Sequence, residues 1–78
     1  YPNPATDDLN IAFTLQNEST TTIELLNNLG QVVATQVLGS VSGEQTAQMN
    51  VSSLESGMYI VKVKTENGET TRRVSIVK

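Results

Sequence analysis

The feature that most limits this chain is an apolar alternation of period two that recurs along it and never gives way to a helical period. Leu9, Ile11, Phe13 and Leu15 are each separated by one smaller or polar residue, the spacing of a strand with one buried face. After a polar break at residues 16–19 the pattern resumes over residues 20–27, with Ile23 and Leu25 on one face and Leu26 on the other. Residues 45–51 place Ala47, Met49 and Val51 on one side. Residues 58–65 give the clearest strand, in which Tyr59, Val61 and Val63 alternate with Ile60, Lys62 and Lys64. Residues 69–77 close the series, with Val74 and Ile76 inward. Ten Thr, nine Val, seven Ser and four Ile against four Ala fit a chain made of strands.

Turn signals separate these runs. Asn tolerates left-handed geometry and Gly reaches positive φ freely, so Asn27-Asn28-Leu29-Gly30 predicts a turn and a hairpin with residues 31–38. That returning run is apolar on both faces: either Val33 and Val37, or Val32, Ala34 and Leu38, can point inward. Two-faced character suits a central strand, or one covered by a partner such as a second copy in a dimer. Residues 39–43 and 52–57 read as loops, and Asn67-Gly68 predicts a type I′ hairpin turn. Together these runs predict an all-β fold, an antiparallel immunoglobulin-like β-sandwich of roughly six to seven short strands. Leu54, Gly57 and Tyr59 sharpen it: a Leu plugs the core, a Gly permits the bend, and the Tyr hydroxyl turns back to the preceding loop as a tyrosine corner.

At 78 residues the chain makes a single domain, residues 1–78. No apolar run approaches the roughly 18–20 residues of a membrane span. The net charge is −3, and all five cations (Lys62, Lys64, Arg72, Arg73 and Lys78) lie from residue 62 onward, too few for a nucleic-acid surface. No Cys is present, so neither a disulfide framework nor thiolate chemistry enters. The chain opens without Met and reads as a fragment of a longer polypeptide; if that parent is exported, its targeting peptide lies upstream.

The catalytic inventory is poor. Without His or Cys, the usual base near neutral pH and the usual thiol nucleophile are missing. Ser52, Ser53 and Ser56 sit in no nucleophile elbow and read as loop residues bonding their own backbone. Asp7-Asp8 is a tight acidic pair without the alternating spacing of a calcium loop, and reads as a solvated turn. The five Gly are scattered singly, which leaves no phosphate cradle, and Tyr1, Phe13 and Tyr59 are too few for a stacking platform. The sequons at Asn17 and Asn50 arise easily in so Asn- and Ser-rich a chain. We expect no enzyme, no cofactor and no metal.

Four blocks, in order, carry a family resemblance: Tyr1-Pro2-Asn3-Pro4, the turn around Gly30, the Leu54, Gly57, Tyr59 and Val61 block, and Gly68 ahead of Arg72, Arg73, Val74, Ile76 and Lys78. In these the chain resembles the C-terminal sorting domain of type IX secretion cargo, of the type A subtype that opens on Tyr-Pro-Asn-Pro. One departure is mild, since Arg72 and Arg73 stand where members often carry Lys. The resemblance implies an immunoglobulin-like sandwich that serves as an address. A cargo domain would precede it on the same chain and fold in the periplasm. An outer-membrane translocon and its shuttle protein would then recognise the sorting domain. A cell-surface sortase would cleave it upstream, leaving the cargo on the surface or released. A few members instead keep the domain to dock on the secretion machinery. The expected signal is Gly68 with Arg72 through Lys78, and Tyr1 to Pro4 is the expected junction with a linker.

Two other classes remain open at this point. An ordinary immunoglobulin-like spacer or adhesion module would share the fold, and would usually be followed by more chain. A carbohydrate-binding module would want the Trp or aromatic cluster that this sequence lacks.

Overall fold

The computed structural model describes residues 7–77. The chain forms four strands, β1 (Asp8–Leu26), β2 (Val32–Asn50), β3 (Gly57–Thr65) and β4 (Gly68–Ile76), and no helix among the described residues. All pair antiparallel in one sheet of order β2-β1-β3-β4. The all-β antiparallel expectation therefore holds, but the strand count does not. Runs 9–15 and 20–27 are one strand, as are 31–38 and 45–51, so four long elements replace the six to seven short ones. Nor do the hydrogen bonds divide the strands into two sheets.

The reason lies at the polar break and the expected 39–43 loop, which stay paired instead of opening. The β1–β2 register passes from Leu15↔Gly43 to Ser19↔Val41, so residues 16–18 face Ser42 alone. Extra residues on one strand bend it and raise its twist without ending the ladder. Gly39 and Gly43, at φ +74 and +76, supply the backbone that the irregular partner needs.

This bend folds the hairpin on itself. Strands of 19 residues, at about 3.3 Å per residue, would each run about 63 Å, yet the longest extent of the molecule is 36 Å. Leu9, Ile11, Ala47 and Met49 from one half of the hairpin join one buried cluster with Ile23 and Leu25 from the other half. Tyr59, Val61 and Val63 of β3 and Val74 and Ile76 of β4 complete it, with Val51 just beyond β2. Seven of these aliphatic side chains (Leu9, Ile11, Ile23, Leu25, Val51, Val61 and Val74) are 0% exposed, which one side of an uncovered sheet could not achieve.

The period-two reading placed these side chains correctly. It could not choose for residues 31–38, and there the inward pair is Ala34 and Leu38, both packed against the core. Val32, Val33 and Val37 are exposed. Val33 is an extra residue between the pairs Leu25↔Ala34 and Leu26↔Val32, and that slip turns Val32 out of the inward set.

The first hairpin turn is as expected. Asn27 Oδ1 accepts from the N–H groups of Leu29 at 2.9 Å and Gln31 at 3.0 Å, and Gly30 takes φ +84. The last turn differs. Thr65 pairs with Gly68, so the two connecting residues are Glu66 and Asn67, and neither has positive φ. A type I′ turn needs positive φ at both, which excludes it. Gly68 instead opens β4 at φ +133.

Candidate functional site

The residues singled out by sequence fall on the β3–β4 hairpin and the two loops at one of its ends. Tyr1, Pro2, Asn3, Pro4 and Lys78 lie outside the described residues. At the hairpin's base Gly57 pairs with Ile76 and Tyr59 with Val74, and the ladder then runs through Ile60↔Arg73 and Val61↔Arg72 to Thr65↔Gly68. Gly68 therefore sits at the far end of the hairpin from Gly57, with the two arginines between.

The corner forms as its residue types require. The Leu54 N–H donates to Val51 O at 3.0 Å, closing a tight turn that presses Leu54 on the core. The Tyr59 ring is buried with it, and its hydroxyl donates to Glu55 O at 2.8 Å. A Cβ at Gly57 would lie 4.0 Å from the Tyr59 ring, an ordinary contact. Beside this corner lies a hollow of about 270 Å³, lined by Gly57, Met58 and Tyr59 and by Asn27 and Asn28 of the first turn. The structure thus brings together the turn before Gly30, the Leu54-Gly57-Tyr59 block, and the Val74–Ile76 end of β4. Gly68 is not part of that group.

Strand alternation splits the cations. Val74 and Ile76 face the core, so Arg72 shares their side of β4 while Arg73 faces out with Lys62 and Lys64 of β3. Lys64 Nζ lies 3.9 Å from Glu24 Oε1, and Glu69 stands directly across the ladder from Lys64. Arg72 and Arg73 are both exposed and form no ion pair with a described residue. Their adjacency in sequence suggested one basic patch. Period two instead puts one guanidinium on each side of the hairpin.

Sequence reasoning missed a tether at the hairpin's tip. The Glu66 N–H donates to Ser19 Oγ at 2.9 Å, and the Thr20 N–H reaches Glu66 Oε1 at 3.4 Å. Ser19 and Thr21 are the buried polar residues of the described chain, and both lie just past the β1 bend. The polar break was visible in the sequence, but a partner 47 positions away in the chain was not.

No group of three or more acidic side chains capable of holding a metal occurs among the described residues. No helix among them is long and apolar enough to cross a membrane. Comparison with curated proteins and with solved structures finds no match. A family profile does match, over residues 1–78, and its description is secretion system C-terminal sorting domain. With the corner, the last hairpin and the order of the four blocks in place over that whole span, the chain belongs to the family of C-terminal sorting domains that direct proteins through type IX secretion.

Proposed function

We propose that this domain is of type A and carries a cargo from the periplasm through the outer-membrane translocon. A shuttle protein receives the cargo, and a surface sortase cuts upstream of the folded part. Membership of the family already implies an interaction with the type IX system, a cargo region on the N-terminal side, and delivery to the cell surface or release. The finer reading draws on the convergence of the first turn, the tyrosine corner and the end of β4 at one end of the hairpin. The reading assigns recognition to this end, with Arg72, Arg73 and the residues after them as the determinant. On this reading the domain is an address and has no catalytic role.

The test fuses residues 1–78 behind a reporter bearing an inner-membrane signal peptide, in a strain with type IX secretion. Reporter on the surface or in the medium, lost on deleting residues 72–78 and in a translocon-null strain, is the expected result. A shortened reporter marks sortase cleavage, and a full-length one on the surface marks a retained docking domain. Reporter held in the periplasm beside a folded domain would sink the proposal in favour of a spacer module.

A further inference from the structure

A groove of about 440 Å³ runs between β1 and β4, away from the corner. Its lining is unusual for a sheet. Five successive residues, Ile11 through Leu15, form one wall, and Asn67 through Thr70 form most of the other. Successive strand side chains point to opposite faces, so a groove that touches every one of them runs along the strand's edge, where the backbone N–H and C=O groups are. Both edges are open. Residues 8–15 of β1 pair only with β2, and β4 pairs only with β3.

The β1 edge carries none of the usual defences, whereas β4 bears the charges of Glu69, Arg72 and Arg73. Over residues 8–15 the β1 ladder has no register shift, and the β3–β4 ladder has none over its whole length. The β1 wall contains no charge and no Pro. Ile11, Phe13, Leu15 and Val63 give the groove an apolar floor, and Arg72 and Glu69 are its charges. Glu69 stands opposite Lys64, whereas Arg72 has no acidic partner among the described residues. Period two sets Glu69 on the outward side with Lys64 and Arg72 on the inner side with Val74, so the inner face of the groove carries one cation and no carboxylate among its lining residues.

We infer that this groove takes an extended peptide strand from a partner protein, paired by backbone hydrogen bonds to β1 and β4, with alternate apolar side chains and one carboxylate set against Arg72. This goes beyond the sorting reading, which sets recognition at the corner end, and shares only Arg72 with it. Binding is a property of this chain, and can be measured without secretion.

The experiment is an amide NMR titration of the 78-residue chain with acetyl-Thr-Val-Thr-Asp-Thr-Val-amide, whose Asp shares a face with its Val residues, and with the same peptide carrying Lys for Asp. A dispersed spectrum before titration establishes the fold. Shift changes confined to residues 11–15 and 67–72 are expected, with the Asp peptide bound about three- to tenfold more tightly. Arg72→Glu, an exposed change, should keep the dispersed spectrum and reverse that preference. Changes along the outer edge of β2, or dilution-dependent shifts at the groove without peptide, would overturn the inference in favour of the other edge or a second copy. Indifference of a well-dispersed spectrum to either peptide would also overturn it. If the reporter is exported while the groove stays silent, the sorting reading stands and the groove falls. Peptide binding without export gives the reverse.

Discussion

Replacing Ile11 by alanine tests the folding-back of the long hairpin, because only that folding buries this side chain. Ile11 is 0% exposed although β2 is its only strand neighbour in the ladder. An isoleucine-to-alanine change in a closed core costs about 2–5 kcal/mol through lost transfer energy and the cavity left behind. At about 2.1 cal/mol/K per residue, the 78-residue domain has an unfolding entropy of about 0.16 kcal/mol/K. A central cost of about 3 kcal/mol therefore lowers Tm by about 18 °C. Val37→Ala is the control, since Val37 is 69% exposed and its loss should cost under about 0.5 kcal/mol, or about 3 °C. Thermal unfolding followed by circular dichroism at one protein concentration reads both. A double-mutant cycle between Ile11→Val and Val63→Ala adds a direct check, because both parent residues line the same groove from strands not paired there. Contact across the fold predicts a coupling of about 0.5 kcal/mol or more. An Ile11→Ala variant that melts like Val37→Ala, with an additive cycle, would refute the folded-back arrangement.

Tyr59→Phe should cost about 1 kcal/mol, or about 6 °C in Tm, by removing the bond to Glu55 O. A variant as stable as the parent would deny the corner its structural weight. Gly30→Ala forces a Cβ into φ +84 and should destabilise by about 1–2 kcal/mol in urea titration, even though nothing lies within 4 Å of the added atom. Lys64→Ala should change stability by less than about 0.5 kcal/mol, with little salt dependence, because its 3.9 Å pair with Glu24 is half-exposed. Ser19→Ala strips the acceptor from the Glu66 N–H, and should speed hydrogen exchange at the β3–β4 turn more than at the Tyr59 corner.

Facing was legible in the sequence because strand alternation is local. Leu9, Ile11, Ile23, Leu25, Val61, Val63, Val74 and Ile76 could each be assigned a side from their immediate neighbours. Continuity was not legible, because a Gln-Asn-Glu-Ser stretch reads as a loop unless its opposite number is known. Ser42 and the glycines at 39 and 43 let that stretch stay paired, which depends on register across some 25 positions. The corner at Tyr59 was readable because Leu54, Gly57 and Tyr59 carry the mechanism within six residues. The groove was not, since its walls come from opposite ends of the chain. Asn67-Gly68 misled for a local reason: the pairing of Thr65 with Gly68 shifted the turn back by one residue.

The order of the strands has a consequence for synthesis. β1 is made first, but the core closes only when β3 and β4 arrive, for Val74 and Ile76 hold two of its most deeply buried places. A ribosome that stalls or a message that ends before Val74 yields a sheet whose apolar side stays open to water. Such a product keeps the residues of the corner but lacks the end of β4. Only a chain read through Ile76 supplies every side chain of the buried cluster.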